Sequence, residues 1–427
     1  MIMKKINLRD LTFLLLGISS TSSCLAIVAG GRVLSVYTIC LIFAFGLLLT
    51  DNKFKCTNYD SKLYNYYGVW TLTSVLSSIF GALFFMGEEI WMDASLEFLP
   101  KIILYFIFLV LFVRSIHSCD YAKSLLHGLL LGVIINAAWA TVDSIIYYSM
   151  GFSITNELFR SYIVATGTRY DMLSLIIGGV IRSGGLNGDP ANIGMFAPIL
   201  ASYALYSRKV WLYILAILSI FSSVSIVGLA STIIISFFYF LSNKKGIVFG
   251  LAIIVMLLIG GSYVAFSDDG VTGQMLSAVS DRLEEKTETD SSDKDNVRAM
   301  YWLKFIPAAI KTPTAFIIGT GYGTASYAYI NGGYVNRSTP YDPEQTYCST
   351  YFDVGLWGFI VFVSLHLLIL KRAYKKREDT NCLILFAGIE GILISFMGYH
   401  YTIYSVSMLF LIAGIVLLSL KTDKKVV

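Results

Sequence analysis

Long apolar runs separated by short polar stretches occupy most of this chain. A helix needs about 20 apolar residues to cross the hydrocarbon core of a bilayer, and lysines and arginines gather at the cytoplasmic ends of such helices. The sequence therefore predicts about 12 transmembrane helices with both termini in the cytoplasm. The predicted spans are Leu11–Ala29, Val33–Thr50, Tyr67–Phe85, Leu99–Val113, Ser124–Tyr148, Ile193–Tyr206, two within Val210–Leu241, Gly246–Phe266, Leu356–Leu370, Asn381–Met397 and Thr402–Leu420.

The run Val210–Leu241 needs a separate argument because basic pairs flank it on both sides, Arg208-Lys209 before it and Lys244-Lys245 after it. If both flanks are cytoplasmic, the run crosses the membrane an even number of times. We therefore predict two short spans that turn near Ser222–Ser225.

Composition agrees with a membrane protein: 56% of the residues are hydrophobic and only 14% are charged, against about 25% charged in soluble domains. We predict a single polytopic membrane domain over residues 1–427, with two large outer loops at 149–191 and 267–355. The six cysteines contain no CxxC pair, so we expect neither a disulfide framework nor a zinc site. No nucleic-acid partner is expected.

The first polar stretch that could carry chemistry is Arg182-Ser-Gly-Gly-Leu-Asn-Gly-Asp-Pro-Ala-Asn192, directly before a predicted span. Its glycines would let the backbone approach a ligand closely. Asp189 and Pro190 are typical of a helix N-terminus, as cap and first residue. A helix N-terminus beside an arginine can bind phosphate. The alternative is a glycine-rich re-entry turn whose arginine reaches the headgroups.

The second outer loop holds two further candidates. Asn296–Pro307 mixes polar and apolar residues at helical spacing, which predicts an amphipathic helix on the outer surface, with Arg298 facing either a ligand or lipid headgroups. Gly319-Thr-Gly-Tyr-Gly323 has the glycines of a phosphate loop, but no strand precedes it and no Gly-Lys-Ser/Thr follows. Tyr322 and the neighbouring tyrosines and asparagines suit sugar faces and hydroxyls better, and they are also ordinary outer-surface residues.

The same loop closes with Tyr341-Asp-Pro-Glu344-Gln345, continuing to Asp353-Val-Gly355-Leu-Trp-Gly358. Glu344 and Asp353 lie at the mouth of a predicted span, where a carboxylate is costly unless it is paired or functional. For Asp353 a structural and a catalytic role are both open. Candidate cationic partners are Arg182, Arg298 and Arg337.

These elements, in this order, resemble the O-antigen polymerase (Wzy) family within the wider O-antigen ligase and polymerase (Wzy/WaaL) superfamily. The resemblance rests on Arg182-x-x-Gly before Asp-Pro-Ala-Asn, on the Arg298…Trp302 segment, on the Gly-x-Gly-x-Gly loop and on the closing motif after Asp353. It implies an all-α integral membrane protein, glycosyltransferase-C-like, in the bacterial inner membrane with a periplasmic active face.

By this resemblance, Arg182 and Arg298 engage the pyrophosphate of a lipid-linked donor. Ligases of the superfamily carry a His-Asn pair upstream of the first glycine of the closing motif, and the matching position here is Glu344. That departure argues against a ligase and makes Glu344 the first choice of general base, with Asp189 second. The residues expected to bind substrate are Asn192, Tyr322, Arg337, Tyr341, Gln345 and Asp353.

The implied reaction transfers a growing glycan from undecaprenyl pyrophosphate to a hydroxyl of the next lipid-linked repeat unit, with no metal or cofactor required. The expected partners are the undecaprenyl-pyrophosphate-linked oligosaccharide and membrane lipid, with a chain-length regulator and a flippase as candidates. One alternative is an O-antigen ligase that transfers glycan to lipid A core. Another is a lipid-linked oligosaccharide flippase, which should place charges inside its spans, whereas the polar residues here gather in the outer loops.

Overall fold

A computed structural model gives the fold over residues 7–29, 32–51, 61–85, 89–166, 173–177, 180–242, 304–334, 345–398 and 405–419. Helices dominate the described residues. They are α1 (Leu8–Ser20), α2 (Val36–Thr50), α3 (Ser61–Phe85), α4 (Glu89–Arg114), α5 (Ser118–Met150), α6 (Ile154–Leu158), α7 (Arg160–Thr166), α8 (Pro190–Ser207), α9 (Val210–Ser223), α10 (Ile226–Ser242), α11 (Phe305–Lys311), α12 (Pro313–Ile317), α13 (Ser326–Asn331), α14 (Thr346–Lys375), α15 (Thr380–Ser395) and α16 (Ser405–Ser419).

The protein is an all-α membrane protein. Among the described residues, four helices are long and apolar enough to cross a bilayer: Ser61–Phe84, Ser95–Arg114, Ser118–Met150 and Thr346–Lys375. Helices α2, α9, α10, α15 and α16 are shorter and also apolar. The predicted spans in the described part of the chain coincide with helices over most of their length, except the first. Gly246–Phe266 lies outside the described residues, so the total number of crossings stays a prediction.

The prediction for the first span, Leu11–Ala29, is wrong in its second half. Helix α1 ends at Ser20, and the chain then forms strand β1 (Ala26–Ala29), which pairs antiparallel with β2 (Arg32–Ser35). The residues after the helix bond to the first outer loop instead of continuing the helix: Ser23 Oγ donates to the Asn187 carbonyl, and the Cys24 N–H donates to the Leu186 carbonyl at 3.0 Å.

The predicted turn within Val210–Leu241 is confirmed. Helix α9 ends at Ser223, and Val224 turns the chain with a left-handed φ of 49° before α10 begins. At the start of α10, a Cβ on Gly228 would lie 2.7 Å from the carbonyl oxygen of Gly194, near the start of α8. At the other end of α10, the Tyr239 ring lies 4.9 Å from that of Tyr206. The two helices therefore form a hairpin that returns to the end from which it started.

The chain groups into two compact units, each discontinuous in sequence. Unit 1 is Met1–Ala44, Ser124–Ser291 and Glu378–Ser395, and unit 2 is Phe45–Lys123, Ser292–Arg377 and Phe396–Val427. The first outer loop belongs to unit 1. The described part of the second outer loop belongs to unit 2. A single membrane domain stays a prediction.

Unit 1 is built around α8, which packs against α9, α10 and α15. Small residues let these helices approach closely, as is common between membrane helices. A Cβ on Gly391 of α15 would lie 2.7 Å from the Ile199 nitrogen of α8. In the same way, a Cβ on Gly128 of α5 would lie 2.1 Å from the Leu14 carbonyl oxygen of α1. These contacts fix the helices that carry the first outer loop.

Unit 2 is built around the contact of α3 with α14, and α4 and α16 pack onto this pair. Trp70 of α3 is fully buried, and its ring lies 5.5 Å from both the Tyr67 and the Phe362 rings. This aromatic core supports the described part of the second outer loop.

Candidate functional site

The glycine-rich stretch of the first outer loop folds as a compact turn that leads into α8. Strand β4 (Val180–Arg182) pairs antiparallel with β3 (Leu175–Ile177), and a 3-10 turn over Gly185–Asn187 follows. Asp189 then caps α8, since its Oδ1 accepts a hydrogen bond from the Ala191 N–H at 2.8 Å. The prediction of a helix start at Asp189-Pro190 is confirmed.

The backbone donors of this turn bond within the protein. The N–H groups of Gly184 and Gly185 donate to the hydroxyls of Ser174 and Ser183, and the Gly188 N–H donates to the Gly184 carbonyl. The close approaches are also to protein, because a Cβ on Gly184 would lie 2.6 Å from the Leu173 carbonyl oxygen. In this conformation the stretch is a packed glycine-rich turn, and its glycine N–H groups are bonded within the protein.

The predicted residues of the first loop differ in exposure. Arg182 is half-buried at the end of β4, and Asp189 is exposed. Asn192 is only 5% exposed, and its amide donates to the Asn187 side-chain oxygen. Asn187 in turn donates to the Thr21 carbonyl at 3.0 Å. Asn192 thus belongs to a network that ties α8 to the end of α1.

Asp143, near the end of α5, organises the whole first loop and was missed in the sequence. Its side chain is fully buried and accepts four hydrogen bonds. Oδ1 accepts from Ser153 Oγ at 2.9 Å and from the Thr155 N–H at 3.1 Å, and Oδ2 accepts from Ser174 Oγ at 2.7 Å and Ser183 Oγ at 2.8 Å. The last donor immediately follows Arg182. The signal was available, since an isolated acid inside an apolar span marks a special site.

A second carboxylate inside an apolar helix was also missed. Glu390 of α15 is partly buried and accepts a hydrogen bond from Ser202 Oγ of α8. The contact joins two helices of unit 1 through a polar pair at their packing face.

Cys24 lies under the same turn and is not a nucleophile at neutral pH. It is 2% exposed, and its Sγ would lie 3.0 Å from a Cβ on Gly188. Burial raises the pKa of the Cys24 thiol, and a hydrogen bond with Ser23 lowers it by a smaller amount. The net pKa is about 12. The thiol therefore stays protonated and serves packing.

In unit 2, the Gly319–Gly323 loop is packed against helices, and most of its N–H groups donate hydrogen bonds within the protein. All three glycines have positive φ, from 82° to 113°. The Thr320 N–H donates to the Phe352 carbonyl at 2.7 Å, the Gly321 N–H to Ser77 Oγ at 3.1 Å and the Tyr322 N–H to Ser78 Oγ at 3.0 Å. This loop therefore joins α3 and α14, and the N–H groups of Thr320, Gly321 and Tyr322 are not open to a phosphate.

Tyr322 points into unit 2. It is 1% exposed, and its ring lies 6.1 Å from that of Trp70 in a nearly perpendicular arrangement. The ring therefore contributes to the core beneath the second outer loop.

The polar end of the second predicted outer loop is helical, and the predicted loop boundary at residue 355 coincides with a break in that helix. Helix α14 begins at Thr346 and is interrupted at Gly355, whose φ is 68°. Only glycine suits this point, because a Cβ would lie 2.3 Å from the Ile317 carbonyl oxygen. The half-helix before the break is almost completely buried. Its polar residues therefore face the interior of unit 2.

Gln345 and Asp353 mark the two ends of this half-helix. Gln345 is 3% exposed, and its Oε1 lies 3.5 Å from Cys348 Sγ. Asp353 is 1% exposed, and its carbonyl accepts hydrogen bonds from Ser77 Oγ and from the Gly321 N–H. Asp353 is therefore brought to the glycine loop and α3. The remaining predicted site residues, Arg298, Arg337, Tyr341 and Glu344, lie outside the described residues.

Residues 193–363 match the family model Wzy_C, described as O-Antigen ligase. The match starts within α8, directly after Asn192, and ends within α14. It covers the second outer loop with Arg298, Glu344 and the glycine loop, and less than half of the chain. No curated protein matches the chain.

The match supports the Wzy/WaaL superfamily, whose members are glycosyltransferase-like enzymes, and does not distinguish a polymerase from a ligase. It also agrees with the resemblance carried by the motifs, because three of the four motifs lie wholly inside residues 193–363. The fourth, around Arg182, ends one residue before the match begins.

Proposed function

We propose that this protein polymerises lipid-linked O-antigen repeat units at the periplasmic face of the inner membrane. The observation that carries the proposal is the match of residues 193–363 to the O-antigen ligase family. Within that stretch, Glu344-Gln345 stands where the ligases that the chain resembles carry His-Asn. This difference favours a polymerase over a ligase.

In the proposed reaction, a hydroxyl oxygen of the acceptor repeat attacks the anomeric carbon of the donor glycan. The bond from that carbon to the pyrophosphate oxygen breaks, and undecaprenyl pyrophosphate leaves with the bonding electron pair. The hydroxyl proton passes to the Glu344 carboxylate, with Asp189 as the second candidate. Arg182 and Arg298 stabilise the negative charge that grows on the leaving group.

The other predicted substrate residues divide by their burial. Asn192, Tyr322, Gln345 and Asp353 are each 5% exposed or less, so we assign them to shaping the site. We propose that Arg337 and Tyr341 contact the glycan directly. We further propose cytoplasmic termini and, as partners, a chain-length regulator and a flippase.

The test is a gel of surface lipopolysaccharide from a strain deleted for this gene. The strain is complemented in turn with wild type, Arg182→Ala, Arg298→Ala, Glu344→Ala and, as a matched control, Arg32→Ala. Arg32 is an exposed arginine of β2 to which we assign no role. A polymerase predicts a ladder that collapses to core plus one repeat in the deletion strain, restored by wild type and by Arg32→Ala only.

The other outcomes separate the alternatives. Complete loss of the first repeat would indicate a ligase or a flippase, and an unchanged ladder would remove the protein from O-antigen assembly. Immunoblots of each variant show whether a missing ladder reflects missing protein. Undiminished glycan transfer by purified Arg298→Ala protein would contradict the role given to that arginine.

A further inference from the structure

Two lysines of unit 2 converge on one aromatic ring. Lys304 immediately precedes α11 and Lys311 ends it, seven residues later, which places them two helical turns apart on the same face. The Lys304 Nζ lies 5.6 Å from the centroid of the Tyr334 ring, and the Lys311 Nζ lies 4.6 Å from it. Both distances are within the range of a cation–π interaction.

Tyr334 is held in place by the way α13 ends. Gly333 has a left-handed φ of 75°, its N–H donates to the Ile330 carbonyl, and the Tyr334 N–H donates to the Tyr329 carbonyl. This pair of hydrogen bonds is a Schellman motif, which glycine at that position favours. The ring folds over Gly332, where a Cβ would lie 2.7 Å from a ring carbon. The ring is therefore a fixed platform.

The two ammonium groups keep N–H donors that could bind a ligand. Lys311 Nζ gives one of its three hydrogens to the Gly332 carbonyl at 2.9 Å. Within the described ranges, neither lysine makes an ion pair with a carboxylate. Two ammonium groups near one ring repel each other, and an anion that contacts both would be attracted by each of them.

The arrangement differs from a second lysine–aromatic contact among the described residues of this unit. Lys101 lies 4.9 Å from the centroid of the Phe98 ring, but its Nζ also pairs with Glu97 at 2.7 Å. Its charge is therefore already balanced by a neighbour on the same helix. Lys304 and Lys311 share a platform and have no such neighbour among the described residues.

We propose that Lys304, Lys311 and Tyr334 form a binding site for a phosphate-bearing anion. The phosphate comes either from a soluble diphosphate or from the headgroup of an anionic membrane lipid, since both present the same oxygens to the ammonium groups. The site does not depend on the glycan-transfer reaction, and none of its three residues has a part in the proposed mechanism.

Binding can be measured directly on the full chain in nanodiscs of phosphatidylcholine, with inorganic pyrophosphate as the probe in a metal-free buffer. The variants are Lys304→Gln/Lys311→Gln, which keeps the length and polarity of both side chains, and Lys101→Gln as the matched control. Removing charged hydrogen-bond donors should raise the Kd for pyrophosphate by about tenfold. Lys101→Gln should leave it unchanged.

A second arm identifies the source of the phosphate. Nanodiscs that mix phosphatidylcholine with phosphatidylglycerol are analysed by native mass spectrometry for lipid that stays bound. Retention of phosphatidylglycerol by wild type and its loss in the double variant, without pyrophosphate binding, would assign the site to a lipid headgroup. Equal pyrophosphate and lipid binding by wild type and the double variant would overturn the proposal, as would the absence of both. All three proteins are compared in an Arg182→Ala/Arg298→Ala background, so that the arginines assigned to the pyrophosphate of the donor do not contribute to the measured Kd. The assay requires no transfer activity, and its result is therefore separate from that of the polymerase test.

Discussion

The Asp143 carboxylate connects the end of α5 to three later segments of the first outer loop through four hydrogen bonds. Its truncation would leave buried donors without acceptors. We expect Asp143→Ala to lower the free energy of unfolding by about 3 kcal/mol, since a buried donor left without its acceptor costs about 1–3 kcal/mol and relaxation of the serine hydroxyls lets most of the donors find other acceptors. Denaturant titration of the purified protein in detergent measures this.

Asp120→Ala is the control for that measurement. Asp120 lies on the same helix, is exposed and pairs only with Lys123 at 3.4 Å, so its removal should change the unfolding free energy by less than about 0.5 kcal/mol. Equal effects of the two substitutions would show that the Asp143 network does not stabilise the loop.

Asp379 caps α15, and its effect on stability should depend on pH. Its Oδ1 accepts hydrogen bonds from the N–H groups of Asn381 and Cys382 at 2.9 and 3.0 Å. Burial raises the pKa of this carboxyl, but the hydrogen bonds outweigh it and bring the pKa below its ordinary 3.8. The stabilisation is therefore complete above the unfolded pKa and is lost as the pH falls through the lower, folded value.

We expect Asp379→Ala to destabilise the protein at pH 7 by about 0.5–1 kcal/mol, because the cap is exposed to solvent. The difference from wild type should hold down to about pH 5 and shrink below about pH 4. Asp379→Asn keeps a side-chain cap without a titrating group. The difference in unfolding free energy between Asp379→Asn and Asp379→Ala should therefore be the same at low pH as at pH 7. A gap between wild type and Asp379→Ala that grows at low pH would contradict the assigned sign.

At the scale of single residues, the sequence predicted what depends on near neighbours. The Asp189 cap depends only on neighbouring residues, so the sequence Asp189-Pro190 is enough to predict it. Asp143 is different, because its partners lie 10 to 40 residues further along the chain. The apolar run Ser124–Tyr148 does not indicate that these partners fold back and contact Asp143. The burial of Tyr322 could not be predicted for the same reason, because its neighbour Trp70 lies about 250 residues earlier in the chain, on α3.

At the scale of elements, Gly355 separates the buried half-helix Thr346–Val354 from the rest of α14. A side chain here would meet the Ile317 carbonyl oxygen at 2.3 Å and would also have to adopt a φ of 68°. We expect Gly355→Ala to cost about 3 kcal/mol of unfolding free energy, because φ of 68° with ψ of −176° is strained for alanine and because the Cβ overpacks the site.

Gly151→Ala measures the cost of a positive φ at a position where a Cβ has room. Gly151 has a similar φ of 79°, but a Cβ there would meet nothing within 4 Å. Its substitution should therefore cost only about 1 kcal/mol. Thermal unfolding of both variants in the same detergent gives the comparison. Equal losses would show that the contact between Gly355 and the chain at Ile317 does not determine the break.

Hydropathy predicted most helices and failed where polar groups find partners inside the protein. The run Leu11–Ala29 is apolar on average, so its mean hydropathy does not indicate that the helix ends at Ser20. The structure shows the reason, because Asn136 of α5 donates hydrogen bonds to the hydroxyls of Thr21 and Ser22 at 3.1 and 3.0 Å. The polar half-helix before Gly355 was assigned to a loop by the same averaging.

At the scale of the whole molecule, charge placement predicted the hairpin in Val210–Leu241 although its helices are short. Helix α9 has 14 residues and α10 has 17, which span about 21 and 25 Å at 1.5 Å per residue. Both fall short of a hydrocarbon core of about 30 Å. The basic flanks still required an even number of crossings, and the structure confirms the turn.

The orientation of this hairpin can be tested by fusing alkaline phosphatase, which is active only outside the cytoplasm, after chosen residues. The helices α5 and α8 bracket the first outer loop, so a fusion after Gly151 should be active, whereas a fusion after Ser207 should be inactive. The decisive pair is Val224 and Ser242. A hairpin that starts and ends in the cytoplasm predicts activity after Val224 and none after Ser242.

A single crossing of the same run would instead give activity after Ser242, and a re-entrant hairpin that stays on the cytoplasmic side would give none after Val224. Green fluorescent protein, which fluoresces only when folded in the cytoplasm, is fused at the same residues and must give the reciprocal pattern. This excludes poor expression as the cause of an inactive fusion.

The result also bears on catalysis. The turn at Val224 lies beside the first outer loop, where the Ser183 N–H donates to the Ser222 carbonyl at 2.8 Å. Arg182 can therefore act on the periplasmic face only if this turn lies there as well.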